Sequence, residues 1–138
     1  MNQTIGLINA TTCVDFLDRF APDQSPFING DFFQHGRKLC FGAVINEQVI
    51  GCIAICIQDM GKEQGTPLLS LGDHVLKEAK IIAFAVHPEH QNRGLGTELQ
   101  RFVLSEAKRQ SCYQVASYST FDKQANYAVK LKLGFSAQ

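Results

Sequence analysis

The sequence predicts an α/β (α+β) fold: a mixed, mostly antiparallel twisted sheet with helices on both faces. Three observations carry this. Residues 38–45 and 48–58 are rich in Val, Ile, Phe and Cys with only Asn46-Glu47 between them, which is a β-hairpin. Residues 81–86 form a continuous apolar run stopped by Pro88, as expected of a strand covered on both faces. Residues 94–109 set Leu95, Leu99, Phe102, Val103 and Ala107 at helical spacing, with Glu98, Arg101, Lys108 and Arg109 opposite. Strands interleaved with helices in this order give a sheet with helices on its faces.

In chain order, residues 4–8 alternate weakly and predict a short first strand. Thr11 or Thr12 caps a helix that reaches Phe20 on Val14, Phe16, Leu17 and Phe20. Pro22 and Pro26 break regular structure. Residues 27–33 are aromatic but bracketed by turn formers, which suits a short helix or a loop packed on the body. After the hairpin, residues 59–72 are the clearest irregular connection, and 73–80 suit either a helical turn or the approach to the next strand. Beyond the long helix, residues 113–120 alternate as a strand. Asp122 or the residues after it open a last helix on Ala125, Ala128, Val129, Leu131 and Leu133, ended by Gly134.

The 138 residues suit one domain, 1–138. Thirteen Lys and Arg balance thirteen Asp and Glu, which argues against a protein that works by neutralising nucleic-acid phosphates. The longest nearly apolar run, 49–57, is too short to span a membrane. The first residues lack the basic and apolar segments of a secretory signal, which points to the cytoplasm. Five cysteines without a Cys-x-x-Cys pair read as reduced, buried small hydrophobes, and four histidines scattered through loop segments give no metal site. The zero charge is a cancellation. Residues 1–69 hold four basic and seven acidic residues, and 70–138 hold nine and six. A positive second half suits a small polyanion such as a nucleotide or phosphorylated cofactor, unless the partition is chance.

The segment that carries chemistry is Ala83-Phe84-Ala85-Val86-His87-Pro88-Glu89-His90-Gln91-Asn92-Arg93-Gly94-Leu95-Gly96-Thr97. A buried strand runs into a polar loop and two glycines open a long helix, so free backbone N–H groups and the positive end of the helix dipole meet at one spot. That spot suits a phosphate or pyrophosphate. Gly94 and Gly96 let an anion approach the backbone with no Cβ in the way, and Arg93 adds a positive charge. A P-loop is excluded because no lysine follows Gly96, and a dinucleotide loop because Leu99 holds its third glycine position. What remains is Gln/Arg-x-x-Gly-x-Gly/Ala, met by Gln91, Gly94 and Gly96.

On this pattern the chain resembles the GCN5-related N-acetyltransferase (GNAT) superfamily. The strand ending Val86-His87-Pro88, the upstream hairpin, the downstream strand and helix, and the closing Leu133-Gly134-Phe135 agree with it. The resemblance covers residues 36–135 and implies an acyl-CoA N-acyltransferase fold with a two-part acetyl-CoA site. Backbone groups of Phe84, Ala85 and Val86 hold the pantetheine arm as if it were an added strand. The loop Gln91, Asn92, Arg93, Gly94, Leu95, Gly96, Thr97 cradles the pyrophosphate. Val86 is the expected donor to the thioester oxygen. The implied reaction moves an acetyl group to a primary amine of a small molecule or protein; the alternative is a non-catalytic acyl-CoA sensor or interaction module on the same fold.

For catalysis the resemblance implies an acid where this chain has Lys130, with Tyr127 the nearby substitute. The family's strand glutamate is missing, leaving Glu78 at the strand entrance and His87 as candidate bases. Phe27, Phe32 and Phe33 either line an acceptor pocket or cap the core. The family normally adds two strands after Leu-Gly-Phe. Without the last one or two, the strand 113–120 presents an open edge, read either as a truncated chain or as an edge that a second subunit covers in a homodimer.

Overall fold

The computed structural model describes residues 3–34, 36–59, 70–71, 74–117 and 128–130. Strands β1 (Thr4–Ile8), β2 (Arg37–Ile45), β3 (Gln48–Asp59), β6 (Lys77–Val86), β7 (Gln114–Ser117) and β8 (Ala128–Lys130) form one sheet in the order β1-β2-β3-β6-β7-β8. The strands β4 (Ser70–Leu71) and β5 (His74–Val75) pair separately. Every neighbouring pair in the large sheet is antiparallel except β6 with β7. This is the mixed, mostly antiparallel sheet that the patterns predict.

Helices cover both faces. Helix α3 (Leu95–Arg109) sets Leu95, Leu99, Val103 and Ala107 on one side of the sheet, against Phe41, Ile53, Ile55, Ile81 and Val115. Helices α1 (Ala10–Phe20) and α2 (Pro26–Asn29) cover the other with Cys13, Phe16, Leu17 and Ile28, against Cys40, Cys52, Ala54, Cys56 and Ile82. The five cysteines are free and buried, as the sequence suggests. The hairpin turn has Asn46 at φ 50° and Glu47 at φ 66°, the two positive angles that match strand twist.

Four details differ from the sequence reading. The α1 cap is Asn9, whose Oδ1 accepts the Thr12 N–H at 2.7 Å, rather than Thr11 or Thr12. The ambiguous stretch before Ile81 is strand from Lys77 onward. Residues 128–130, read as part of a last helix, are a strand antiparallel to β7; the rest of that proposed helix lies outside the described residues. A neighbouring edge with open ladder groups has outweighed helical spacing there. That pairing also corrects the open edge at β7, because Lys130, Val129 and Ala128 stand opposite Gln114, Val115 and Ala116.

The most consequential local feature is a bulge in β6. Ala54 faces Ala83 while Ile55 faces Ile81, so Ile82 has no opposite residue. The bulge switches the phase of the strand. Ile81 faces α3, Ile82 and Ala83 both face α1 and α2, and Phe84 and Val86 then return to the α3 side.

Candidate functional site

The site builds from the C-terminal half of β6. Its ladder with β7 covers Glu78 to Ile81, and among the described residues no β7 partner stands beside Phe84 or Val86. On the other side, the His87 N–H donates to the Ile50 carbonyl at 2.8 Å. Antiparallel pairing alternates, so Gly51–Val86 and Ile53–Phe84 are non-hydrogen-bonded pairs. The N–H and C=O groups of Phe84 and Val86 therefore point away from β3, off the other edge of β6.

Two side-chain amides reach that edge. Gln24, in the short turn between α1 and α2, accepts the Phe84 N–H on its Oε1 at 2.7 Å. Gln91 donates from Nε2 to the Val86 carbonyl at 3.1 Å. The Val86 N–H meets no acceptor among the described residues. Ala85 instead belongs to the hydrogen-bonded Cys52–Ala85 pair, so its backbone faces β3 and does not reach the edge. Of the three residues expected to hold the arm, Phe84 and Val86 are so placed and Ala85 is not.

The loop then leads into α3. Gln91 is extended, Asn92 takes φ 64°, and Gly94 takes φ 83° with ψ 0° as the helix N-cap. Gly94 offers no side-chain cap, and the first helical bond runs from the Glu98 N–H to the Gly94 carbonyl at 3.0 Å. The N–H groups of Leu95, Gly96 and Thr97 are thus left with no side-chain acceptor, a spot suited to an anion. Gln91, Asn92, Arg93, Gly94 and Thr97 are exposed, while Leu95 is buried and anchors the turn. Arg93 also lines a cavity of about 420 Å³ with Gln3, Gln48, His90 and Leu95.

The two glycines have different reasons. At Gly94 nothing lies within 4 Å of an added Cβ, but the backbone is left-handed. At Gly96 a Cβ would stand 3.1 Å from Phe84 Cζ. Gly96 therefore makes room for the Phe84 ring.

The predicted acid–base residues do not gather at this edge. Glu78 lies eight residues before Val86, roughly 25 Å along the strand at about 3.3 Å per residue. It is buried, with Gln58 donating to Oε1 at 3.2 Å, Gln114 donating to Oε2 at 2.9 Å, and Lys80 3.7 Å away. Those bonds tie it to its neighbours in the sheet, away from the edge at Val86. His87 is adjacent to the edge, but its Nδ1 accepts the Glu89 N–H at 3.1 Å. Its ring packs on Phe20 at 4.6 Å. A neutral imidazole has one acceptor nitrogen, and here that nitrogen caps the turn Pro88–His90. Tyr127 lies outside the described residues. Phe27 and Phe33 pack against the α1 and α2 core, with Phe27 meeting the exposed Phe32 edge-on at 4.9 Å, so capping the core describes them better than a pocket. Gln24 was not foreseen, because nothing in its neighbours' spacing marks it.

The C-terminal half of β6 thus runs toward a helix N-terminus that has no side-chain cap. The chain belongs to the acetyltransferase (GNAT) family, whose model matches residues 8–135. Solved structures show the same fold. A ribosomal-protein-alanine N-acetyltransferase from Brucella melitensis biovar Abortus 2308 aligns with a TM-score of 0.60 at 15% identity, over 91% of this chain and 85% of that one. A predicted acetyltransferase from Clostridium acetobutylicum, solved with acetyl-CoA, gives 0.64 at 14%, over 87% and 82%. A GNAT family acetyltransferase from Elizabethkingia anophelis with acetyl-CoA bound gives 0.58 at 22%, over 89% and 69%. No curated protein matches the sequence. Among the described residues no helix is long and apolar enough to cross a membrane.

Proposed function

We propose that this chain is an N-acetyltransferase that moves an acetyl group from acetyl-CoA to a primary amine of a small molecule or protein. The observation that carries the reading is the continuity of the β6 edge with the α3 N-terminus. Phe84 and Val86 offer backbone groups to an extended amide chain, and five residues after Val86 the loop from Gln91 turns into free helical N–H groups. Bound acetyl-CoA would supply the activated acetyl thioester. Phe84 and Val86 align its arm, and the N–H groups of Leu95, Gly96 and Thr97, with Arg93, balance its pyrophosphate charge. The open space over Gly94 leaves that approach unobstructed.

In the transfer, the amine nitrogen forms a bond to the acetyl carbon as the carbon–sulfur bond breaks. The Val86 N–H is the backbone donor available for the negative charge that collects on the acetyl oxygen. The amine loses its proton and the departing thiolate takes one up. Tyr127 is the proposed acid for the thiolate, and no base is assigned to Glu78 or His87.

A second reading, a non-catalytic acyl-CoA-binding module, is favoured by one observation: both expected bases are engaged in structural hydrogen bonds. Titration calorimetry with coenzyme A tests the shared cosubstrate site, and absence of binding at millimolar concentration would sink both readings. Thiol release from acetyl-CoA across a panel of amines separates them. Binding without turnover selects the module.

A further inference from the structure

The hydrogen bond between Gln24 and Phe84 lies where the proposed cosubstrate would lie. An extended amide chain added beside β6 must offer a carbonyl to the Phe84 N–H and an N–H to the Val86 carbonyl, because those groups point off the strand edge. The protein already supplies both from glutamines. Gln24 presents a carbonyl oxygen to Phe84 at 2.7 Å, and Gln91 presents an N–H to Val86 at 3.1 Å. The two glutamine amides thus occupy the positions that the amides of an arm would fill. Gln91 sits in the loop that leads to the anion spot, whereas Gln24 comes from the opposite face, 60 residues away in sequence.

We propose that Gln24 is a displaceable placeholder for the acyl-pantetheine arm: its side-chain carbonyl satisfies the Phe84 N–H in the free protein and swings out when a carbonyl of the arm takes that position. The proposal rests on the acetyl-CoA reading above. The physical reason is that a half-buried backbone N–H left without an acceptor is costly, so the free protein needs a partner for Phe84. Gln24 meets that need from a short turn, Pro22–Gln24, between helices α1 and α2, and its side chain alone has to move. Satisfying the Phe84 N–H also keeps that group from pairing with another chain's edge.

The consequence is a pair of effects with opposite signs. Gln24→Met keeps length and removes the acceptor. The free protein should become less stable, and coenzyme A should bind about two- to tenfold more tightly, the value of one net hydrogen bond no longer broken on binding. Gln24→Glu keeps an acceptor for Phe84 and should preserve the stability of the free protein.

Calorimetry with coenzyme A on the full chain and both variants is the first measurement. Amide hydrogen exchange at Phe84 is the second, and needs no ligand. The expected result is protection of the Phe84 amide in the wild type and in Gln24→Glu, loss of it in Gln24→Met, and its return in Gln24→Met when coenzyme A is added. Equal or weaker binding by Gln24→Met, or unchanged Phe84 protection, would overturn the placeholder while leaving the cosubstrate reading intact. If neither the wild type nor Gln24→Met binds coenzyme A, the cosubstrate reading falls and the placeholder falls with it.

Discussion

The entry to α3 rests on one backbone conformation, which makes Gly94 the sharpest place to perturb the loop. Gly94 holds φ 83° and ψ 0°, and nothing lies within 4 Å of a Cβ built there. Gly94→Ala therefore meets no clash, and its cost is the left-handed backbone itself, about 1–2 kcal/mol for a non-glycine residue. In a chain of 138 residues, about 1 kcal/mol lowers Tm by roughly 3–5 °C. The variant can escape that cost only by rotating Gly94 out of the left-handed region, which re-aims the N–H groups of Leu95, Gly96 and Thr97. Stability and coenzyme A affinity are thus alternative outlets for one strain, and at least one must fall. Gly94→Asn is the control, because asparagine tolerates this region better than alanine. Thermal melts without ligand and calorimetry with coenzyme A read the two outlets. The reasoning is refuted if Gly94→Ala matches the wild type in both, or if Gly94→Asn is as damaging as Gly94→Ala.

Three further outcomes follow from the same geometry. His87→Asn, which can still accept the Glu89 N–H, should retain most acetyl transfer while His87→Ala loses about 1 kcal/mol of stability with its cap; if Asn abolishes transfer as fully as Ala, the ring is acting as a base after all. Leu99→Ala empties a fully buried position between α3 and the sheet and should cost about 2–5 kcal/mol in urea denaturation; a loss below 1 kcal/mol would mean that α3 is not packed as described. Burial pushes the Cys112 thiol up from 9.0 to about 11, and a hydrogen bond with Cys13 together with burial raises Cys40. A group raised on folding contributes fully below its unfolded value, so stability should hold up to about pH 9 and fall between about pH 9 and pH 11 as the unfolded chain ionises thiols that the folded chain keeps protonated. Urea midpoints across that range should fall less in Cys112→Ala, and an identical alkaline loss would discount Cys112.

The elements that were legible are those whose burial is one-sided or complete. Leu95, Leu99, Val103 and Ala107 recur because one stripe of α3 meets the sheet, and the hairpin reads clearly because β3 is buried along nearly its whole length. The start of β6 was hidden for a physical reason. Lys77, Glu78 and Lys80 suit a helical turn as well as the approach to a strand, yet Glu78 is buried there because Gln58 and Gln114 supply the hydrogen bonds that a charge needs inside. A polar cluster that satisfies itself across three strands leaves no apolar pattern at the start of β6. Residues 128–130 show the converse: Ala128 and Val129 fit a helical spacing, and an available sheet edge decided otherwise. The bulge at Ile82 was equally silent, since a run of apolar residues looks the same with or without a change of phase.

The site divides along the same line. The loop from Gln91 to Thr97 was legible because its chemistry is local: glycine at a positive φ, an uncapped helix start and an arginine all lie within a few residues. Even there, spacing located Gly96 but could not show the Phe84 ring that needs the room, since that ring belongs to another element. Glu78 and His87 show a further limit of the sequence. The identity of a titratable side chain states what it can exchange with a substrate, but not which hydrogen bonds it already accepts, and in this fold His87 Nδ1 and both Glu78 oxygens accept one. Gln24 is the mirror case, a residue type with no claim on attention whose importance comes wholly from meeting Phe84 across the fold. The proton-transfer group should therefore be sought by the test that Glu78 and His87 fail. It must reach the edge at Val86 and hold a lone pair that no structural hydrogen bond has already taken.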